Sequence, residues 1–132
     1  MRKIFLLLVL LLPLCSCQQQ YEKEIEEYYQ THLNDPDSYE LVYMSDRPQV
    51  LTPSCFIVFE YENDEPTLLL AELDKFIANC KVKGKDHNEH IGYYVEHEYR
   101  AKNKFGAMVL QKDRIFFNKE LTHITHVERI EL

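Results

Sequence analysis

One segment of the chain, Asp86-His87-Asn88-Glu89-His90, has side chains of the types that bind zinc or copper. Its two imidazoles are three residues apart with a carboxylate between them, and both groups are ligands of these metals. A protein site for either metal needs a further ligand from elsewhere in the chain. The candidates for that ligand are His97, His123 and His126. The segment therefore predicts either a metal site at His87, Glu89 and His90, or an exposed polar loop without a metal.

A second candidate site is a group of cations in the segment YRAKNKFG, residues 99–106. Arg100, Lys102 and Lys104, together with the amide of Asn103, could bind an anionic ligand such as a phosphate or a carboxylated glycan. The same pattern is typical of a tight turn between two strands, in which alternate charged side chains face solvent and Asn and Gly satisfy the backbone geometry. Both interpretations remain open from the residues alone.

Residue patterns typical of nucleophilic catalysis are missing from the sequence. There is no Gly-x-Ser-x-Gly segment, and no pair of carboxylates stands out from the general acidity. His97 lies on the predicted buried side of its strand, where we expect a hydrogen-bonded core residue rather than a catalyst. We therefore expect neither enzymatic activity nor a cofactor, and a hydrolase is the least favoured class.

The N-terminus has the form of an export signal. Arg2 and Lys3 precede an apolar run over residues 4–14, which is shorter than the roughly 20 residues that span a bilayer as a helix. The residues Leu14-Cys15-Ser16-Cys17 resemble the lipobox of bacterial lipoproteins. That resemblance implies that residues 1–16 are removed, that Cys17 carries the lipid, and that residues 17–20 form a tether. The alternative is an ordinary signal peptide that leaves Cys17 as a free thiol.

The remaining cysteines, Cys55 and Cys80, form an even pair once Cys15 is removed and Cys17 is acylated. Outside the cytoplasm such a pair predicts one disulfide bond. Two buried free cysteines are the alternative, because Cys is also a common small core residue.

Charge and composition limit the partners. The chain has a formal net charge of −7, and removal of Arg2 and Lys3 with the signal makes it more negative. This charge argues against binding to nucleic acid and against adhesion to anionic lipid headgroups. The full chain has nine Tyr and seven Phe, which predict a packed and β-rich core. Residues 21–132 have the length of one ordinary domain.

The first half of that segment predicts two helices and two strands. Apolar residues from Tyr21 to Leu33 follow helical spacing, and Asp35-Pro36 predicts the end of this helix and a short second turn. Residues 39–44 and, more strongly, 55–61 (CFIVFEY) are β-prone. A second helix is predicted to begin near Pro66 and to end near Gly84.

The second half predicts strands. From Tyr93 to Lys102 apolar and polar residues alternate, with Val95, His97 and Tyr99 on the buried side. We expect a return strand over 106–110, a turn at Lys112-Asp113 and a third strand over 114–117, while residues 120–132 fit either a helix or an edge strand. The predicted fold class is α+β, with an N-terminal amphipathic helix and a second helix packed on an antiparallel sheet of about five strands.

The segments NDPDSYE (34–40) and HEYRAKNKFG (97–106) resemble small lipoproteins of the Bacteroidetes. The resemblance implies one α+β domain and an envelope location, and it implies no particular activity. Gln18, rather than Asp, after Cys17 favours the outer membrane in such lipoproteins, on either its periplasmic or its external face.

The predicted function is therefore a lipid-anchored envelope protein that binds an envelope protein or a glycan without catalysing a reaction. The predicted partners are the membrane, through the lipid, and that envelope component. A zinc- or copper-binding lipoprotein is the alternative.

Overall fold

The computed structural model describes residues 20–132, so the predicted signal peptide, the predicted lipidation site Cys17 and most of the predicted tether lie outside the described residues. Within residues 20–132, three α-helices and five strands follow one another in a mixed order. They are α1 (Gln20–His32), a 3-10 turn (Pro36–Ser38), β1 (Glu40–Met44), β2 (Gln49–Leu51), α2 (Pro53–Tyr61), α3 (Pro66–Val82), β3 (Gly92–Lys102), β4 (Met108–Phe117) and β5 (Ile124–Ile130). None of these helices is long and apolar enough to cross a bilayer.

The five strands form one antiparallel sheet in the order β1-β3-β4-β5, with β2 also paired to β3. β1 lies beside residues 97–100 of β3 and β2 beside residues 92–94, so both use the same edge. The predicted α+β class and the predicted antiparallel sheet are confirmed. The tail, which fitted either a helix or a strand, is the edge strand β5.

The helices lie on opposite faces of the sheet. On the α1 side, Tyr21 of α1 packs edge-on against Phe117, with ring centroids 6.2 Å apart. On the α2 side, Phe59 of α2 packs against Phe116, at 6.1 Å. Because successive side chains of a strand point to opposite faces, contacts to Phe116 and Phe117 place the two helices on opposite sides. The sequence predicted one inserted helix, whereas the structure has a helical hairpin of α2 and α3.

The N-terminal helix forms as its spacing predicts. Tyr21, Ile25 and Tyr29 are four residues apart along one face and are buried in the core. After the helix, Asp35 is the N-cap and Pro36 the first residue of the 3-10 turn, as predicted. The long strand is also confirmed, because Val95, His97, Tyr99 and Ala101 of β3 are buried on the α1 side.

The prediction of a strand over residues 55–61 is wrong, since these residues lie in α2. Thr52 is the N-cap and Pro53 takes the first helical position, where its fixed φ suits a helix. The N–H of Thr52 also donates to Sγ of Cys55 at 3.4 Å, which satisfies a group at the helix start. Gln49–Leu51 already occupy the edge of β3 at this point, so the β-prone segment folds as a helix instead of adding a strand.

The turn predicted at Lys112-Asp113 is also wrong, because β4 runs without interruption from Met108 to Phe117. Asp113 is only 2% exposed, and hydrogen bonds from other elements compensate its burial. Lys112 forms an ion pair with Glu96 across the sheet, at 3.3 Å. The strand therefore continues through Lys112 and Asp113, because each of these charged side chains has hydrogen-bonding or oppositely charged partners.

Cys55 and Cys80 are free thiols in the structure and do not form the predicted disulfide. The Cys55 sulfur is turned toward the start of its own helix, where it contacts Thr52 Oγ1 at 3.3 Å. Cys80 is buried near the end of α3. Cys55 is partly exposed and Cys80 is buried, so only Cys80 has the burial that the alternative interpretation expects.

Candidate functional site

The α2 side of the sheet is covered over only part of its length. Phe59 of α2 contacts Tyr94 near the start of β3, at a centroid distance of 4.9 Å. Farther along β3 and β4 the side chains of the same face reach solvent. We call this part the open sheet surface, and its residues are Tyr43, Glu98, Arg100, Lys102, Met108 and Leu110.

The register of the strands shows that these side chains are neighbours. Arg100 lies opposite Leu110, and Lys102 opposite Met108, in the β3–β4 ladder. Tyr43 of β1 lies opposite Glu98 of β3. Met108 is 44% exposed and Tyr43 is 52% exposed, so large apolar groups stand beside two cations on an accessible sheet.

The four residues predicted to bind an anion are only partly brought together. Arg100 and Lys102 share the open sheet surface and are exposed. Asn103 instead shapes the β3–β4 turn, because its Oδ1 accepts the N–H of Phe105 at 2.9 Å. Lys104 Nζ lies 5.1 Å from the centre of the Phe105 ring, a cation–π contact at the tip of the turn.

A groove of about 570 Å³ adjoins the open sheet surface at the break between β1 and β2. Its lining residues are Tyr43, Ser45, Asp46, Arg47, Gln49, Tyr94 and Glu96. The Ser45 N–H donates to the Glu96 carbonyl oxygen at 3.0 Å, and the Glu96 N–H donates to Ser45 Oγ at 2.9 Å. These two bonds hold the break in place, so the groove has a fixed wall and charged groups of both signs.

A group of titratable side chains lies on the α1 side of the sheet, and we call it the buried polar cluster because four of its six members, Tyr29, His97, Tyr99 and Asp113, are buried. Its members are Tyr29, Tyr39, His97, Tyr99, Asp113 and Arg129. The Tyr29 hydroxyl donates to Asp113 Oδ2 at 2.6 Å, and Arg129 Nε donates to Asp113 Oδ1 at 2.6 Å. Arg129 also donates to the Tyr99 hydroxyl, at 3.1 Å. The buried carboxylate is thus held by one hydroxyl and one guanidinium.

His97 completes this cluster, and it is fully buried. Its Nε2 is 2.6 Å from the Tyr39 hydroxyl, while its Nδ1 has no partner among the described residues. Its ring lies 4.6 Å from that of Tyr29 and 5.1 Å from that of Tyr99. The structure therefore confirms His97 as a hydrogen-bonded core residue.

Burial controls the proton equilibria of the cluster. It lowers the pKa of His97 to about 4, against a smaller opposite effect of the Asp113 charge. Burial, and then the hydrogen bond to Asp113, raises the pKa of Tyr29 far above its usual value. Burial also raises the pKa of Tyr39 to about 12. All three groups therefore stay neutral at pH 7, and the cluster holds one ion pair, between Asp113 and Arg129.

A second ionic group lies on the α2 side, and we call it the Arg114 cluster. The Arg114 side chain is only 3% exposed, and its Nη2 donates to both carboxylate oxygens of Glu62 at 3.0 Å and to Glu96 Oε1 at 3.2 Å. Its guanidinium lies 3.6 Å from the centre of the Phe59 ring. Burial raises the pKa of Glu96, but the hydrogen bond from Arg114 and the charge of Lys112 outweigh burial and lower it. This cluster ties α2 to the sheet.

The predicted metal residues lie in the loop between α3 and β3. His87 Nδ1 is 2.9 Å from Ser54 Oγ, so this imidazole is used to hold the loop to the start of α2. His90 packs edge-on against Tyr93, with ring centroids 4.7 Å apart, and Glu89 is exposed. Over residues 20–132, no three His, Cys, Asp or Glu side chains lie close enough to share a metal ion.

Sequence reasoning missed Asp113, Arg129 and the Arg114 cluster. The only signal for the buried polar cluster was the place of His97 on the buried side of its strand, which required a hydrogen-bond partner. Tyr29 and Asp113 are 84 residues apart in the chain, so no local pattern joins them.

Comparison with known proteins gives no relative for this chain. No protein-family model matches it, and neither a curated protein nor a solved structure does.

Proposed function

We propose that this chain is a lipid-anchored cell-envelope protein that binds another envelope component, a protein or a glycan, through the open sheet surface, without catalysing a reaction. The observation that carries the proposal is the exposure of Tyr43, Met108 and Leu110 beside Arg100 and Lys102 on a rigid antiparallel sheet. Aromatic residues, Met and Arg are enriched where proteins bind one another, and Arg and Lys also bind carboxylate groups such as those of acidic glycans.

The anchor supports the proposal from the sequence side. Leu14-Cys15-Ser16-Cys17 resembles a lipobox, and only three residues lead from Cys17 to the first described helical residue, Gln20. A lipid on Cys17 would therefore keep the domain close to a membrane. Two or more acyl chains are needed for stable attachment, because each buried methylene contributes about 0.8 kcal/mol.

The buried polar cluster supports a binding function rather than catalysis. Its imidazole and its tyrosine hydroxyls are the chemically versatile groups of the domain, but His97 and Tyr99 are at most 1% exposed. The accessible chemistry is that of the open sheet surface, which consists of apolar side chains and fixed charges.

The experiment places a photo-cross-linking amino acid at Leu110 in intact cells, with the same substitution at Leu70 as control. Both leucines are exposed, but Leu70 lies on α3 and away from the open sheet surface. We expect a discrete cross-linked product from position 110 that is absent from position 70 and is lost when Arg100→Glu is added.

Digestion of the product with a protease or with a glycosidase then assigns the partner to a class. Cross-linking at position 110 that is no greater than at position 70 would contradict the proposed surface. The anchor is tested separately, because labelled palmitate should enter the wild-type chain and not the Cys17→Ala variant.

A further inference from the structure

The end of α3 combines an exposed apolar side chain with a concentration of positive charge. Lys81, Val82, Lys83, Gly84 and Lys85 form this segment, which we call the lysine tip. Val82 is 87% exposed, the highest value among the large apolar side chains of the described residues. The Gly84 backbone has φ +66° and ends the helix, and the Lys85 N–H donates to the Cys80 carbonyl oxygen at 2.9 Å. The tip is therefore a defined turn.

The N-terminus of α1 lies at the same end of the sheet as the lysine tip. Tyr21, in the first turn of α1, packs against Phe117, the last residue of β4. Phe117 is next to Gly92, the first residue of β3, since a Cβ on Gly92 would lie 2.3 Å from the Phe117 carbonyl oxygen. Gly92 in turn pairs with Leu51 of β2.

The residues that follow Leu51 connect the start of β3 to the lysine tip. Pro53, the first residue of α2, lines one cavity of about 860 Å³ together with Lys83 and Lys85. The start of α1, the start of β3 and the lysine tip therefore lie at one end of the domain. Cys17 is three residues before Gln20, and three residues span at most about 11 Å. A lipid on Cys17 would bring the bilayer to this end.

We propose that the lysine tip rests on anionic lipid headgroups of the bilayer that holds the Cys17 lipid, and so fixes the orientation of the domain. This inference rests on the proposed lipid anchor. Lysine side chains can reach phosphate groups while their stems lie along apolar surface, and Val82 stands between them, directed to solvent. The chain carries a net charge of −7, and the lysine tip is a local group of cations on this acidic protein, as is the group of Arg100, Lys102 and Lys104 at the other end of β3.

Acidic residues limit the strength of the contact, and one of them is Glu22 in the first turn of α1, at the same end of the domain. Asp86 and Glu89 line the same cavity as Lys83 and Lys85, and they offset part of the positive charge. The lysine tip by itself would therefore bind the lipid headgroups only weakly. Once the lipid is inserted, however, the tip is at a high effective concentration at the surface, and a weak contact is then enough to select one orientation.

This orientation has a consequence for the open sheet surface. Arg100 and Lys102 lie near the end of β3 that is distant from Gly92, and the β3–β4 turn lies beyond them. With the lysine tip on the headgroups, the open sheet surface faces away from the bilayer and is accessible to a partner.

The test compares two positions that differ in location but match in exposure. Val82→Cys and Phe105→Cys, at the lysine tip and at the β3–β4 turn, replace side chains that are 87% and 81% exposed. Each is made in the full-length, lipidated chain with Cys55→Ser and Cys80→Ala, labelled with a fluorophore, and reconstituted into vesicles of phosphatidylcholine with phosphatidylglycerol. A nitroxide on the lipid headgroup is the quencher.

We expect the label at position 82 to lose fluorescence and the label at position 105 to keep it. Replacement of Lys81, Lys83 and Lys85 with Gln, or the use of phosphatidylcholine alone, should abolish the difference while the protein still floats with the vesicles. Flotation with equal quenching at both positions, or quenching at position 82 that persists without the lysines, overturns the inference and leaves the anchor intact. A wild-type chain that does not float overturns the anchor and the inference with it.

Discussion

Protonation of His97 should make the domain less stable in mildly acidic solution. The imidazole is fully buried between α1 and the sheet. The titratable groups that face it are Tyr29 from α1, Tyr39 from the segment before β1, and Tyr99 and Asp113 from the sheet. Only Asp113 favours the protonated form, and Asp113 is already paired with Arg129.

The sign and the size follow from the pKa of His97, which burial lowers from 6.5 to about 4. Above pH 6.5 the imidazole is neutral in both the folded and the unfolded chain, so pH has no effect through this group. Between pH 6.5 and pH 4 the unfolded chain binds a proton that the folded chain does not. The free energy of unfolding then falls by about 1.4 kcal/mol per pH unit, or about 2 kcal/mol between pH 6.5 and pH 5.

The assay is urea unfolding followed by circular dichroism at several pH values between 7.5 and 5. It uses the chain from residue 17 with Cys17→Ser, and it compares this chain with a His97→Gln variant. Glutamine can still accept a hydrogen bond from Tyr39 but cannot bind the proton. The variant should be less stable at pH 7.5, and its disadvantage should shrink by about 2 kcal/mol by pH 5.

The carboxylates titrate in both chains, so their effect on the free energy of unfolding cancels in the difference between the wild type and His97→Gln. His123→Gln, which removes an exposed imidazole, is the matched control and should keep the wild-type pH dependence. Parallel stability profiles for the wild type and His97→Gln would refute the reasoning, because they would show that His97 binds its proton equally well in the folded domain.

Three further stability changes follow from the packing, each measured by urea unfolding at pH 7.5. Tyr29→Phe removes the hydroxyl that donates to the buried carboxylate of Asp113, and should cost about 1.5–3 kcal/mol, whereas Tyr28→Phe on the half-buried face should cost less. Gly92→Ala places a Cβ 2.3 Å from a carbonyl oxygen and should cost about 1–3 kcal/mol; an unchanged midpoint would contradict the close approach. Arg114→Met leaves Glu62 and Glu96 without their cation and should cost about 1–3 kcal/mol, because these carboxylates are 31% and 30% exposed and water solvates them in part; an unchanged free energy of unfolding would contradict the stabilising role of the ion pairs.

Local patterns predicted much of the fold. The spacing of Tyr21, Ile25 and Tyr29 is that of a helix with one buried face, and the alternation along β3 is that of a strand with one buried face. Asp35-Pro36 and Asn103 act through their own backbone neighbours. In each case the deciding interactions lie within a few residues, so the sequence carries them.

The secondary-structure predictions were wrong where contacts with residues distant in the sequence determine the local structure. CFIVFEY has the composition of a strand, but Thr52 and Pro53 start a helix there, and the edge of β3 already holds β2. Lys112-Asp113 has the composition of a turn, but the pair continues a strand because Glu96 and Arg129 supply opposite charges. Of the candidate binding residues, the sequence identified Arg100 and Lys102, while the apolar side chains beside them depended on strand register.

The sequence by itself determined the lipobox-like N-terminus, the first helix, the long alternating strand and the α+β class, because each is written in residue types and short spacings. Only the tertiary structure decided that Asp113 is buried against Tyr29, that half of one sheet face stays open, and that the lysine tip lies at the end where the chain leaves toward Cys17. These features depend on which strands pair and in which register. That choice is made by the packing of the whole chain, since a shift of one residue would move every side chain of a strand to the opposite face.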